Sequence, residues 1–197
     1  MLVDSLEMED ERFLRNDSRR CYYCKIEAFK KIIEIAKVNS IKNILDGQNY
    51  DDISDYRPGS KAAQECGVIS PLRQNRLCKN DIRALSKKLG IKGWDRPSFA
   101  CLASRIPYGT KITEEVLSGI DRLEMFLLKK GFSQVRVRHH GDLARIEVIK
   151  EEIPMLVGQH LMEQVVSEFK SNGYLFVTFD LEGYRTGSMN IMLKDNL

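Results

Sequence analysis

The sequence predicts an α/β protein in which a parallel sheet layer is followed by a smaller α+β unit. Three observations indicate this fold. In the first half, helical periodicity alternates with one short apolar run at residues 43–46. In the second half, two strictly alternating segments are joined by a short turn. The pattern changes near Gly109 to Lys111, so we expect one domain over residues 1–110 and another over residues 111–197.

The first half contains three predicted helices and one predicted strand. The apolar positions of the first helix recur at three-and-four spacing: Ile26, Phe29, Ile32, Ile33 and Ala36. A shorter helix covers Ser60 to Cys66, and Asn80 is the expected cap of a third helix that ends at Gly90. The run 43–46 predicts a buried strand. The polar loop after it lies where α/β sheets bind their ligands.

The second half begins with a helix that is capped by Thr113 and ended by Gly131. Residues 133–138 and 143–149 then form a predicted hairpin. Side chains switch sides at every residue of a strand, so apolar residues on the core side place four charged residues on the other face: Arg136, Arg138, Arg145 and Glu147. A helix from Ile153 to Phe169 and a strand from Tyr174 to Phe179 complete the unit.

The composition is that of an ordinary globular protein, with 197 residues, 43% apolar and 30% charged. No apolar run approaches a membrane span, and the acidic N-terminus does not resemble a signal peptide, so we expect neither membrane insertion nor secretion. Five cysteines are too few for a disulfide framework, which favours the cytoplasm. The net charge of +3 hides a separation, because residues 46–65 are mainly acidic and residues 71–96 carry eight basic and two acidic side chains.

The cysteine chemistry centres on Cys21 and Cys24, three residues apart at the start of a predicted helix. The helix dipole and the basic neighbours favour thiolate there. A redox pair, half of a zinc site and part of an iron–sulfur site all fit this spacing, although zinc would need a second such pair or paired histidines. Cys101, which also has basic neighbours, is a third candidate thiolate. We interpret Cys66 and Cys78 as small buried residues.

Several common catalytic motifs are missing from the sequence. Its 13 glycines include no adjacent pair and form no phosphate-binding turn between a strand and a helix. There is also no GxSxG or HExxH motif. The remaining features are three activatable thiols, an acidic loop after a strand and arginines placed to meet an anion.

Six segments carry a family resemblance: RCYYCK (20–25), DGQNYDDISDYRPG (46–59), SPL (70–72), CLASRIPYG (101–109), VRVRHHGDLARIEV (135–148) and LEGYRTGSMN (181–190). In this order they resemble the LarE family, ATP-dependent sulfur transferases that help to build the nickel-pincer nucleotide of lactate racemase. The resemblance extends from about Arg20 to Asn190. Six motifs in order are far more specific than any single CxxC.

This resemblance implies that the first domain is part of a PP-loop ATP pyrophosphatase fold, related to GMP and NAD synthetases. It also implies the reaction: ATP adenylates a carboxylate of pyridinium biscarboxylate mononucleotide, and sulfur then displaces AMP to give a thiocarboxylate. Family members with three cysteines hold a four-iron cluster whose extra sulfide is donated. Cys21, Cys24 and Cys101 match that pattern, as metal ligands and catalytic residues.

Other functional positions carry over residue by residue. The loop near the nucleotide matches Asp46, Asn49, Asp51 and Arg57. The polar residues around the sulfur-transfer site match Arg105, Glu124, Arg136, Arg138 and Glu147. Arginines there would hold the phosphate and carboxylate of the substrate by forked hydrogen bonds. The alternative interpretation, an exposed polar sheet face, applies best to Arg145.

The family's phosphate loop, an SGG-x-DS segment, has no counterpart among the 19 residues before Arg20. We therefore expect the C-terminal portion of such an enzyme, which binds ATP and Mg²⁺ poorly without that segment. Exposed apolar surface predicts self-association, and the family forms hexamers. Two alternatives stay open: a tRNA thiolase of the same group, with residues 71–96 facing RNA, and a metal-holding partner of a separate ATP-binding subunit. The main hypothesis predicts a small nucleotide substrate rather than a nucleic acid.

Overall fold

The computed structural model describes residue 3 and residues 6–53, 57–96, 100–185 and 187–190. The chain divides into two compact units, Met1–Ser98 and Phe99–Leu197. Helices and a three-stranded sheet make it a mixed α/β protein, as predicted. Within the described ranges, no helix has the length and apolar character that crossing a lipid bilayer would require.

The first unit consists mainly of helices. Phe29 and Ala63 lie on the first and second predicted helices and form a buried cluster with Val68. Ile44 and Cys66 pack against this cluster. The helices of this unit are α1 (Glu11–Leu14), α2 (Arg20–Val38), α3 (Pro58–Glu65), α4 (Pro71–Gln74) and α5 (Lys79–Lys88).

The predicted strand at residues 43–46 forms only a parallel bridge, between Leu45 and Ile69. Ile69 N donates to the Ile44 carbonyl at 2.9 Å, and Asp46 N donates to the Ile69 carbonyl at 2.9 Å. Leu45 is 61% exposed, so the expectation of a buried strand was wrong. A single neighbouring segment covers too little of an apolar run to bury it. The register nevertheless places Ser70 beside Asp46, where the acidic loop begins.

The start of α5 also differs from the prediction. Cys78 occupies the N-cap position and Asn80 lies within the first turn, so Asn80 is not the cap. The reason is Asp81, whose carboxylate accepts a hydrogen bond from Cys78 N at 2.9 Å and satisfies the backbone there. The end of the helix matches the prediction, because Gly90 adopts a φ of 68°, the left-handed conformation that ends many helices.

The second unit packs a long helix, α6 (Glu114–Lys129), against a sheet. Thr113 Oγ1 accepts a hydrogen bond from Val116 N at 3.3 Å, which confirms the predicted cap. β1 (Val135–His140) and β2 (Leu143–Val148) form the predicted antiparallel hairpin.

The rest of this unit follows the prediction with two changes. The last strand, β3 (Phe176–Phe179), is shorter than expected and pairs in parallel with β2, so the strand order is β1-β2-β3. The helix expected from Ile153 to Phe169 is divided into α7 (Ile153–Leu156) and α8 (Gln159–Ser171). The break falls just before α8, where Gly158 occupies the N-cap position with extended backbone.

The hairpin confirms the predicted separation of faces. The apolar face is almost completely buried and consists of Val135, Val137, Ala144, Ile146 and Val148. On the opposite face, Arg136 pairs in register with Glu147, and Arg138 with Arg145. This second face is buried too, since Arg136 is 3%, Arg138 5% and Glu147 0% exposed. An exposed polar sheet face is therefore the wrong interpretation of these three residues.

The division between the two units falls between residues 98 and 99, earlier than the change of pattern near Gly109 to Lys111. Residues 100–108 pack with the second unit because Arg105 is 2% exposed and pairs with Glu124 of α6. Arginine is mostly an exposed residue in proteins, so its position in the sequence carries no signal of this burial.

Gly183 lies where the chain leaves β3 and crosses the end of β2, with Tyr184 N donating to the Val148 carbonyl at 2.7 Å. Its φ is +70°, and a Cβ atom there would stand 2.9 Å from the Val148 carbonyl oxygen. We predict that Gly183→Ala lowers the free energy of unfolding by about 3 kcal/mol, because left-handed strain and a backbone clash add together. Urea denaturation measures this loss.

The matched control for this substitution is Gly173→Ala. Gly173 has a φ of +94°, but a Cβ atom added there would meet no other atom within 4 Å. We expect a loss of only about 1 kcal/mol there, from backbone conformation alone. Equal losses at the two glycines would contradict the close approach at Gly183.

Candidate functional site

Cys21 and Cys24 lie in the first turn of α2, and their spacing of three residues puts them on one side of the helix. Cys21 is exposed, Cys24 is partly buried, and neither forms a disulfide. Cys101 is also free and exposed, and it directly precedes the 3₁₀ turn Leu102–Arg105. All three candidate donors are therefore available as thiols.

The three candidate thiols belong to different units, with Cys21 and Cys24 in the first and Cys101 in the second. Within either unit, the described residues contain no group of three or more His, Cys, Asp or Glu side chains arranged to hold a metal ion. The convergence of the three thiols on one cluster stays a prediction.

Cys66 and Cys78 differ from these thiols in chemical character. Burial raises the pKa of the Cys66 thiol, and the charge of Glu65 raises it further. A hydrogen bond to Asp51 is the main cause of the raised pKa of Cys78. Both environments favour the neutral thiol, which is the weaker nucleophile and metal ligand.

Side chains of the acidic loop bond to one another and to the helices α3 and α4. Asp46 accepts hydrogen bonds from Gln48, at 3.1 Å from the backbone N and 2.9 Å from Nε2. Gln48 Oε1 in turn accepts from Ser60 Oγ at 2.9 Å and from Arg73 Nη1 at 3.3 Å. Three elements of the chain therefore meet at Gln48, a residue that the sequence reasoning did not single out.

The other predicted residues of this loop have partners as well. Asn49 Oδ1 accepts from Asp51 N at 3.0 Å, and Asp51 Oδ2 accepts from Lys79 N at 2.8 Å. The Lys79 hydrogen bond is the main cause of the lowered pKa of Asp51. Arg57 forms an ion pair with Asp52 at 2.9 Å. Each of the four predicted nucleotide-binding residues therefore has a hydrogen-bond or ion-pair partner among the described residues.

The polar face of the hairpin in the second unit holds a buried ion pair between Arg105 and Glu124. Arg105 Nε and Nη2 each lie 2.8 Å from a Glu124 oxygen, in a forked arrangement. Glu124 Oε1 also accepts a hydrogen bond from Val137 N at 2.9 Å, on β1. The pair therefore joins the 3₁₀ turn, α6 and the sheet.

A second ion pair on this face joins Arg138 and Glu147, whose atoms Nη2 and Oε2 lie 2.6 Å apart. Ser188 Oγ lies 3.1 Å from Arg138 Nη2 and donates to Glu147 Oε1 at 3.3 Å. Arg145 pairs with Glu147 at 3.3 Å and with Asp180 at 2.5 Å. Arg145 is thus only partly exposed and is engaged on both sides.

Arg136 completes the polar face. Its Nη1 donates to the Val135 carbonyl at 2.6 Å, and its guanidinium lies 5.2 Å from the centre of the Tyr184 ring. Burial lowers the pKa of Arg136, and the nearby charge of Arg105 lowers it further. Guanidinium groups remain charged in proteins, so Arg136 keeps its positive charge on this buried face.

Sequence reasoning gave no role to three residues that cover this face: Asp180, which lies just before the last motif, and Tyr184 and Ser188, which lie within it. They lie on a segment that we call the strap, residues 180–185 and 187–190. Nothing in local periodicity marks them, because each acts on a partner about 35 to 50 residues away in sequence. The chemical types of these residues were the available signal, since a hydroxyl, a carboxylate and an aromatic ring all bind arginine.

Comparison with known proteins identifies the family. The chain is 36% identical over 185 residues to the pyridinium-3,5-bisthiocarboxylic acid mononucleotide synthase of Lactiplantibacillus plantarum. The matched region covers 93% of this chain and 66% of that enzyme. The chain belongs to the LarE family. The resemblance expected from the six motifs is confirmed.

Two further relatives are described only as uncharacterized proteins. One, from Synechocystis, is 41% identical over 192 residues, or 98% of this chain and 72% of the relative. The other, from Methanocaldococcus jannaschii, is 31% identical over 176 residues, which is 89% of this chain and 68% of the relative. The chain spans about two thirds of the length of these curated relatives. No protein-family model matches it.

The buried ion pairs of the LarE chain lead to a prediction for Glu147→Gln. This change leaves Arg138 and Arg145 on a buried face without their shared carboxylate. We expect the free energy of unfolding to fall by about 3–5 kcal/mol, because an unpaired buried charge costs far more than an exposed one. Urea denaturation at neutral pH measures the change.

Glu182→Gln is the control for this substitution. Glu182 pairs with Arg185 at 2.7 Å but is 68% exposed, so we expect a loss below about 1 kcal/mol. A loss of that size for Glu147→Gln would contradict the buried network.

The difference between the cysteines predicts their order of alkylation. We expect iodoacetamide at neutral pH to modify Cys21 and Cys101 roughly tenfold faster than Cys66 and Cys78, because the latter two are partly buried and favour the neutral thiol. Peptide mass spectrometry after short pulses gives the rate at each residue. Urea-unfolded protein, where all five rates should converge, is the control. Equal rates in the folded protein would contradict the assignment.

Proposed function

We propose that this chain is a sulfur transferase that converts an adenylated carboxylate of pyridinium biscarboxylate mononucleotide into a thiocarboxylate, with release of AMP. The similarity to the L. plantarum synthase, which covers 93% of this chain, supports this class of reaction. The geometric observation that carries the proposal is the buried arginine face of the second unit. A face of this kind suits a substrate that bears both phosphate and carboxylate groups.

Arg138 is the residue of this face that best fits an anion. It is 5% exposed, and its Nε has no hydrogen-bond partner among the described residues. A buried donor left unpaired costs free energy, and the cost is larger for a charged group. A phosphate or carboxylate oxygen of the substrate would supply the acceptor that Nε lacks. Arg136 would add positive charge to the same face. Glu147 would orient Arg138 through their ion pair.

The sulfur donor in this proposal is an iron–sulfur site held by Cys21, Cys24 and Cys101. The donor set fits such a group, because none of the three cysteines forms a disulfide and thiolates are the preferred ligands of iron–sulfur clusters. When bound, a four-iron cluster on three cysteines supplies a sulfide that can be replaced between turnovers. The chain's part is to provide the three thiolates and to leave one iron without a protein ligand.

The adenylation step would use ATP and Mg²⁺ only together with an SGG-x-DS segment, and the loop of the first unit would supply this chain's share of that site. Asp46, Asn49, Asp51 and Arg57 are the proposed nucleotide-binding residues. The network at Gln48 supports this role, since it holds the loop where parallel segments end. The carboxylates suit Mg²⁺, which prefers oxygen ligands. The PP-loop relationship and the hexamer are further parts of the same proposal.

Anaerobic reconstitution tests the proposed sulfur donor. We expect iron and acid-labile sulfide to bind the wild-type chain and to be lost in Cys21→Ala, Cys24→Ala and Cys101→Ala, because each change removes one of three ligands. Thiocarboxylate formation from pre-adenylated substrate, followed by mass spectrometry, should be lost in the same three variants.

Cys66→Ala is the matched control, since we assign Cys66 no metal ligand role. It should retain both the cluster and the reaction. An intact cluster in Cys101→Ala would remove the third ligand from the proposal. A cluster present in the wild type with no thiocarboxylate formed would instead overturn the proposed reaction.

A further inference from the structure

The backbone that carries Cys101 is held from inside the second unit by Arg105. Arg105 Nη1 donates to the Ala100 carbonyl at 2.7 Å and to the Cys101 carbonyl at 3.0 Å. The same nitrogen lies 3.1 Å from Ser104 Oγ. Hydrogen bonds from a charged donor are about twice as strong as those between neutral groups. One guanidinium nitrogen thus fixes both peptide groups beside the Cys101 side chain.

The other two nitrogens of Arg105 bind Glu124. Nε and Nη2 each donate to a Glu124 oxygen at 2.8 Å, so every nitrogen of this guanidinium already has an oxygen partner in the protein. In Arg138, by contrast, Nε has no partner among the described residues. The two arginines of the same face are therefore suited to different tasks. Arg138 has a nitrogen left for a ligand, whereas each guanidinium nitrogen of Arg105 already binds a protein oxygen.

Glu124 connects this arrangement to the rigid part of the unit. Its Oε1 accepts a hydrogen bond from Val137 N at 2.9 Å, in the middle of β1. Arg105 is 2% exposed and Glu124 is 8% exposed, so water does not compete for these bonds. A continuous set of bonds runs from β1 through Glu124 and Arg105 to the carbonyl of Cys101.

We propose that Arg105 is a positioning residue for Cys101, acting through the Ala100 and Cys101 carbonyls, and that Glu124 orients it. The Cys101 thiol stays exposed while its backbone is anchored to the sheet. The importance of this anchoring for sulfur transfer rests on the proposed function, in which Cys101 is a cluster ligand. The anchoring itself does not.

Ser104 adds a local bond to the same turn, because its backbone N donates to the Cys101 carbonyl at 2.9 Å. A turn of this length has few bonds of its own and is weakly held without outside contacts. The charged donor from Arg105 supplies that contact. Loss of it should therefore loosen the Cys101 backbone before it loosens α6 or the hairpin.

A nitroxide attached to Cys101 tests the proposal. The label is placed on a variant of the whole chain in which the other four cysteines are replaced by serine, and its electron paramagnetic resonance spectrum reports backbone motion. Arg105→Lys keeps a positive charge near Glu124 but lacks the fork that reaches both carbonyls at once. We expect this change to remove the immobilised component of the spectrum.

Arg145→Lys is the matched control. Arg145 lies on the same face and pairs with Glu147 and Asp180, and both of these carboxylates lie outside the Cys101 turn. We expect the spectrum of the label to stay unchanged in this variant. An immobilised label in folded Arg105→Lys, with the parent spectrum retained, would overturn the proposal. So would an equal change in Arg145→Lys.

Glu124→Gln keeps the test valid if Arg105→Lys does not fold. Glutamine retains an oxygen for Val137 N but weakens the hold on Arg105, so we expect a partial loss of the immobilised component. A parent spectrum retained in Glu124→Gln would exclude Glu124 as the orienting residue. The label needs no cluster, so it separates this inference from the proposed function. If the label loosens in Arg105→Lys while the wild-type chain binds no iron, the anchoring of Cys101 is upheld and only the proposed cluster is refuted.

Discussion

The second unit depends on keeping buried charges paired. Removing an ion from water costs several kcal/mol, and a partner of opposite charge repays that cost only with good geometry and additional hydrogen bonds. Glu124 meets this condition by binding Arg105 and Val137 N, and Glu147 meets it by binding Arg138, Arg145 and Ser188. The polar face of the hairpin can be buried because each carboxylate serves more than one donor.

Hydrogen bonding to the protein divides the arginines of this face. Arg105 uses all three nitrogens on protein oxygens, and Arg138 leaves Nε without a partner among the described residues. In the proposed enzyme, the first arginine holds the backbone beside a sulfur ligand while the second meets the substrate anion. Two chemically identical side chains 33 positions apart in sequence thus differ in role through their hydrogen bonds alone.

Local pattern predicted much of this fold, and long-range contacts account for what it missed. Alternation in the hairpin predicted that Arg136, Arg138 and Glu147 share a face, and the register confirms it. Burial of that face depends on the strap and the 100–105 segment, which no periodicity connects to it. The run 43–46 failed for the same reason, since an apolar composition does not say how many neighbours will cover a strand. The pairing of Asp81 with Cys78 N, and not a preference for Asn80, decided where α5 begins.

The strap reaches the ionic face because of how it leaves the sheet. Asp180 N donates to the Ile146 carbonyl, so β2 still guides the chain just after β3 ends. At Gly183 the backbone turns with a positive φ and passes close to Val148, a path that a side chain would obstruct. This turn places Tyr184 over Arg136 and Ser188 between Arg138 and Glu147. The burial of the arginines therefore depends on one residue that itself carries no charge.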